Sequence, residues 1–190
     1  MGFKPHCLHF VKDGTWILLP FFFNNITTVA LNNPLSLLTM LAAPTPFAVE
    51  KTLIGSFPHH HLYFLPDTKS LMMVPQGRVP HEEFKAVHME CLQLFHEYRP
   101  TSLIVDERNI EHINAQSRRW MVSNFMRLPS TRAIAKNHLT IIIIRPQSPL
   151  VGALTRAMHK IISSFTPFSL NYVPDEEEAY AMAFRNRSLT

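Results

Sequence analysis

The chain has 190 residues, 46% hydrophobic and 17% charged, with a net charge of +4. That length supports one globular domain of ordinary size plus an appendage, and the composition excludes a chain disordered throughout. Five Gly, fifteen Pro and two Cys exclude collagen-like, Gly-rich and disulfide-scaffold classes, since Cys7 and Cys91 can form at most one bridge. A reducing cytoplasm is the expected setting. The net charge is too mild in total to announce a nucleic-acid binder.

Residues 1–48 carry only Lys4, Lys12 and Asp13 as charged groups, with Pro5, Pro20, Pro34, Pro44 and Pro46 among short apolar runs. Neither Trp16–Phe23 nor Leu35–Ala43 approaches the ~20 residues of a membrane-spanning helix. The proportions are also wrong for a secretory signal. This segment is read as a poorly ordered or non-native leader upstream of a start at Met40, because it lacks helical periodicity, strand alternation and solubilising charge. Deleting residues 1–48 is expected to shift the melting midpoint by less than ~5 °C, roughly 1 kcal/mol for a domain of this size. A larger fall would show that the leader packs on the core.

From residue 49 to residue 190 apolar strand-like runs alternate with capped amphipathic runs. Leu53–Phe57, Leu62–Leu65 and Ser70–Val74 are predicted strands, with turn chemistry at Pro66-Asp67-Thr68-Lys69. Pro80–Tyr98 is a predicted helix with Phe84, Val87, Cys91 and Tyr98 on one face and Glu82 and Glu83 in the first turn. Ser102–Val105 is a short buried strand ending in Asp106. Asn114 caps a helix expected to bury Met121, Phe125 and Leu128. Leu139–Ile144, with four consecutive Ile, lacks polar alternation and so predicts a central parallel strand covered on both faces. Ser148 and Pro149 open a helix on which Leu150, Leu154, Met158, Ile161 and Phe165 recur at helical spacing. Phe168–Val173 is the last strand, and Asp175 with Glu178 starts a terminal helix. The class expected is α/β, a mixed, mainly parallel sheet with antiparallel N-terminal strands and helices packed on it.

The stretches Val74-Pro75-Gln76-Gly77-Arg78-Val79, Tyr98-Arg99-Pro100 before Leu103-Ile104-Val105-Asp106-Glu107-Arg108-Asn109, and Asp175-Glu176-Glu177-Glu178-Ala179 carry a resemblance. In this order of elements, residues 50–185 resemble the STAS superfamily, in particular the bacterial SpoIIAA-like domains also described as STAS/SEC14-like. The resemblance implies a non-enzymatic regulatory or protein-interaction module, with a SEC14-like carrier of a lipid or other small apolar ligand as the alternative. STAS anti-sigma antagonists place a phosphorylatable Ser in an Asp-Ser-Ser-Gly-like sequence at a helix start. The loop Glu111-His112-Ile113-Asn114-Ala115-Gln116-Ser117 has neither that Gly nor a Ser at the expected position. Ser117 is its nearest hydroxyl, read as an exposed residue of the first helical turn.

No nucleophile elbow, metal cluster or glycine-rich phosphate loop is present, so neither an enzyme nor a cofactor is expected. His59-His60-His61 cannot converge on one metal, because successive strand residues point to opposite faces and no carboxylate lies at ligand spacing nearby. Cys91 on a buried face is an inert thiol. The sequons at Asn25 and Asn186 would matter only in a secreted chain. Asp106, Glu107 and Arg108 sit at the carboxyl end of a central strand, where open α/β sheets present functional groups. With Asn114 and Ser117 they form the candidate interaction loop. Between Arg108 and Lys160 nine basic residues are opposed only by Glu111, a segment of +8. Arg118, Arg119, Arg127 and Arg132 form the candidate basic face, whose charge suits an acidic protein partner, an anionic lipid headgroup or nucleic acid, the last not expected; a homodimer is also considered. The two functional classes differ in one observable: a carrier has an apolar cavity, whereas an interaction module can be packed solid.

Overall fold

The computed structural model describes residues 49–137 and 139–188, the side chain of Phe165 excepted, and residues 8–10 and 16–18 by backbone alone. The chain divides into two units, Met1–Pro46 and Phe47–Thr190. In the first, strands β1 (Leu8–Phe10) and β2 (Trp16–Leu18) pair antiparallel, with Leu8 opposite Leu18. A short ladder thus stands in a segment expected to lack strands. The remaining expectations for residues 1–48, Met40 among them, and those for Cys7 lie outside the described residues.

The second unit is built on a six-stranded sheet. Its strands are β3 (Thr52–Phe57), β4 (His60–Leu65), β5 (Ser70–Pro75), β7 (Ser102–Asp106), β9 (Thr140–Ile144) and β10 (Ser169–Val173), in the order β10-β9-β7-β5-β4-β3. β3, β4 and β5 pair antiparallel and the rest parallel, the mixed sheet expected from the sequence. Two short strands, β6 (Gly77–Val79) and β8 (Ile110–Ile113), form a separate parallel pair. Gly77 has φ +64 and donates its N–H to the Asn109 carbonyl at 2.8 Å. A side chain there would be strained, so the glycine lets the chain leave β5 and turn onto β6.

Helices α1 (His81–Tyr98), α2 (Ala115–Ser123), α3 (Pro129–Lys136) and α4 (Pro149–Phe165) contribute to the core on one face of the sheet, and α5 (Glu176–Arg187) covers the other. Three caps expected from the sequence are made: Asn114 accepts from the Gln116 N–H at 2.7 Å, Ser148 from Val151 at 3.4 Å and Asp175 from Glu178 at 2.9 Å. β9 shows why the run of Ile has no polar alternation. Ile142 and Ile144 pack against α5, while Ile141 and Ile143 face the four-helix side.

Two expectations are corrected. The single helix from Asn114 through Leu128 is broken: α2 ends at Ser123, a 3-10 turn spans Phe125–Arg127, and α3 begins at Pro129. Proline at the first helical position lacks an N–H and pushes Leu128 to φ −59, ψ 138, so one helix cannot run through it. On α4 the buried stripe is Val151, Thr155, Met158 and Ile162, whereas Leu150, Leu154 and Ile161 are 71%, 41% and 47% exposed. Thr155 donates its hydroxyl to the Val151 carbonyl at 2.7 Å. Its polarity is thereby satisfied, and the stripe that hydrophobicity alone ranks second becomes the inward one.

Candidate functional site

Strand alternation sends Leu103 and Val105 to the four-helix face and Ile104 and Asp106 to the α5 face. Glu107 continues the alternation just past the strand and turns back to the four-helix side. There a cavity of about 120 Å³ lies between the sheet and α1–α4, walled by Ile143, Phe84, Met121, Met158 and Phe168 among others. Apolar cavities on the order of 150 Å³ lined by such residues take benzene. Cys91 also lines it, and burial pushes its thiol up to about 12, leaving it protonated and unreactive.

Five polar side chains reach this apolar wall: His60, His88, Glu107, Thr131 and His159. His88 donates Nδ1–H to the Phe84 carbonyl at 2.7 Å, which leaves Nε2 as an acceptor; burial lowers its pKa to about 4. His159 bonds through Nδ1 to the Tyr172 hydroxyl at 2.7 Å, and burial lowers it to about 4 as well. Glu107 is 3% exposed. Burial, with the Asp106 charge adding to it, pushes Glu107 from the usual 4.5 up to about 8. Its Oε1 lies 3.9 Å from His159 Nε2, within ion-pair reach. Desolvation acts on both partners in the direction of the uncharged form, so at pH 7 the contact joins a carboxylic acid to a neutral imidazole and is no ion pair.

The triplet of histidines is anchored rather than scattered. Glu83, in the first turn of α1, accepts from the His59 backbone at 2.7 Å and lies 2.8 Å from His59 Nδ1 and 3.0 Å from His60 Nδ1. Burial raises the Glu83 pKa, but the hydrogen bonds from His60 and His59 outweigh it and hold the carboxylate below its usual range. For His60 burial wins over the same bonds, and its pKa is lowered. No carboxylate stands at ligand spacing beside these imidazoles in the sequence, and α1 brings one to them from 24 residues away. His61 points to the other side and meets Ser56 Oγ at 3.2 Å. Among the described residues no group of three or more His, Cys, Asp or Glu is placed to hold a metal.

The residues of the candidate interaction loop are not gathered on one surface. Asp106 is 3% exposed on the α5 face and accepts three times from Arg108, twice from its guanidinium at 2.8 and 2.6 Å and once from its backbone N–H at 3.2 Å. Arg108 also reaches Glu176 at 3.1 Å, and Glu176 is bonded in turn by Lys51 and the Tyr180 hydroxyl. Asp106 first and Glu176 second hold the Arg108 guanidinium above its usual range. This network ties the start of α5 to the end of β7. Asn114 is the exposed cap of α2. Ser117, read as exposed, is fully buried, with Oγ 3.1 Å from His81 Nδ1. On the basic side Arg118 is half-buried and donates to the Ile113 carbonyl, while Arg119, Arg127 and Arg132 are exposed. Arg127 and Arg132 border one surface depression with Val122 and Met126.

Sequence reasoning weighed His60 only as a metal ligand, set His88 aside as a scattered histidine and did not reach Thr131 or His159. His88 had a readable signal, since it falls one turn after Phe84 and next to Val87 on the apolar face of α1. Thr131 had none, because α3 itself was not foreseen.

No helix among the described residues is long and apolar enough to cross a membrane. No family model matches the chain, and no curated protein does. Among solved structures it is similar to an uncharacterized DUF3478-family protein with a SpoIIAA-like fold from Shewanella loihica PV-4, at TM-score 0.43 and 14% identity over 71% of this chain and 93% of that one. It is also similar to the anti-sigma factor antagonist SpoIIAA in its unphosphorylated form, at TM-score 0.40 and 12% identity over 72% of this chain and 98% of that one. At such identities the likeness is one of fold.

Proposed function

We propose that the 49–190 domain is a non-enzymatic binding module that holds a small apolar molecule between its sheet and α1–α4. The observation that carries this reading is the cavity of about 120 Å³ in an otherwise buried apolar core. A domain acting only through its outer surface gains nothing from such a space, which forfeits packing contacts in its lining. The protonated Cys91 thiol lacks the thiolate that a cysteine nucleophile needs. Met126 lines the cavity and is followed by the exposed Arg127, so occupancy has a short path to the basic side, where an acidic protein partner would read it.

Cumene added to the full chain is expected to bind with a dissociation constant on the order of a millimolar or below. Met73, Met121, Met126 and Met158 line the cavity, whereas Met72 and Met182 lie on the α5 face and Met89 is exposed. Methyl NMR should therefore shift the first four and leave the other three in place. Ile141→Phe, which grows a lining side chain into the space, should abolish the shifts at a stability change within about 1.5 kcal/mol, where overpacking a solid core costs about 1–3 kcal/mol. Unmoved methyls at saturating cumene, or a strongly destabilised Ile141→Phe protein, would overturn the proposal.

A further inference from the structure

Among the described residues two buried side-chain oxygens have no hydrogen-bond partner in the protein, Glu107 Oε2 and Thr131 Oγ1. Both residues line the one cavity and are 3% and 2% exposed. Buried polar groups in folded proteins are paired in the large majority of cases, so two unpaired ones in a single apolar wall mark where a ligand's polar atom belongs. The imidazoles there are each bonded through Nδ1, His60 to Glu83, His88 to the Phe84 carbonyl and His159 to the Tyr172 hydroxyl, and in the neutral form none has a second N–H to donate. The described wall contains no Lys or Arg.

We infer that the cavity selects an uncharged apolar molecule carrying one hydrogen-bond acceptor, such as a ketone, ester or ether oxygen, which the Glu107 carboxyl and the Thr131 hydroxyl hold. The inference rests on the cavity reading above and specifies its ligand. A carboxylate ligand would meet no cation in the wall and would face the Glu107 carboxyl. An amine would need Glu107 ionised, and the charged pair would then have to be desolvated among apolar side chains. A neutral acceptor needs no charge at all, because Glu107 can donate its own O–H. The groups facing Glu107 allow this. His159 from α4 stands 3.9 Å away and is neutral, Tyr172 from β10 keeps its proton while lying in the field of Arg156, and Asp106 is committed to Arg108 on the opposite face.

Three probes of one skeleton separate the classes: cumene without a polar group, acetophenone with a carbonyl and 1-phenylethylamine with a charged amine. At pH 6.5 the full chain should bind acetophenone about tenfold more tightly than cumene, the gain expected for pairing a buried donor. The amine should bind most weakly. Glu107→Gln keeps a donor and should keep the preference, whereas Glu107→Leu should erase it without weakening cumene. Raising the pH to 9 should weaken acetophenone in the wild type and leave Glu107→Gln unaffected. A preference for the amine, or for acetophenone over cumene in Glu107→Leu, overturns this inference and leaves the cavity proposal standing. Failure of cumene itself to bind overturns both. Melting curves of both variants, read beside the binding data, confirm that the compared proteins are folded.

Discussion

Ile142→Asp should leave no cooperatively melting domain. Ile142 is fully buried in β9, paired in parallel with β7 on one side and β10 on the other, and packs with Ile104, Val173, Ala179 and Ala183 under α5. A carboxylate placed there has no partner and must either be desolvated or take up a proton, at a cost of several kcal/mol. The cavity left by the lost side-chain carbons adds to that cost. Domains of this size are stable by only about 5–15 kcal/mol, so most of the margin disappears. Ile142→Val, which removes one methylene, should cost about 1 kcal/mol and keep a sharp transition. Urea unfolding followed by circular dichroism checks both. A soluble Ile142→Asp protein with a cooperative transition would mean that β9 is not held between two packed layers.

Stability should peak near pH 6.5 and fall on both sides. Glu107 is raised to about 8 in the folded chain from the usual 4.5, so the folded state holds its proton more tightly than the unfolded one. Its contribution is complete below 4.5 and is lost as the pH rises through 8. Between pH 6.5 and 8 that amounts to about 2 kcal/mol, at about 1.4 kcal/mol per pH unit. His88 and His159 work in the opposite direction, each lowered from 6.5 to about 4 by burial. The unfolded chain takes up their protons first, so their contribution is complete above 6.5 and is lost as the pH falls toward 4. From pH 6.5 to 5 two imidazoles lose stability while Glu107 gains it, a net fall of about 1.3 kcal/mol, since the unfolded imidazoles are already half protonated at 6.5. Glu107→Gln should flatten the alkaline limb and roughly double the slope of the acid limb. Urea midpoints at pH 5, 6.5 and 8 read this directly, and an alkaline limb surviving in Glu107→Gln would locate the titration elsewhere.

The elements that were legible in the sequence are those whose signals are local. Four consecutive β-branched Ile in a short run without polar alternation read as a strand covered twice, and the caps at Asn114, Ser148 and Asp175 act within three residues of themselves. The break at Pro129 was equally local, but Met121, Phe125 and Leu128 at helical spacing concealed it. Misreading the inward face of α4 has a different origin. Apolar side chains stand on both stripes of that helix, and the choice between them is made by what the sheet and α2 present to it. The strand-end position of Asp106, Glu107 and Arg108 was legible, and alternation alone separates the first two. What the sequence did not disclose is that an ion network waits for Asp106 on one face while Glu107 enters a cavity on the other. A cavity is the remainder of packing by four helices and seven strands, and no single segment encodes it.

The basic side and the cavity differ in how they answer to their surroundings. Whatever docks on Arg119, Arg127 and Arg132 does so through charges in water, which 0.1 M salt screens beyond about 10 Å. A molecule between the sheet and α1–α4 sits among groups that are neutral at pH 7, so ionic strength has no charge there to act on. Salt therefore acts directly on the outside alone, and the partitioning of an oily solute out of water acts on the inside alone.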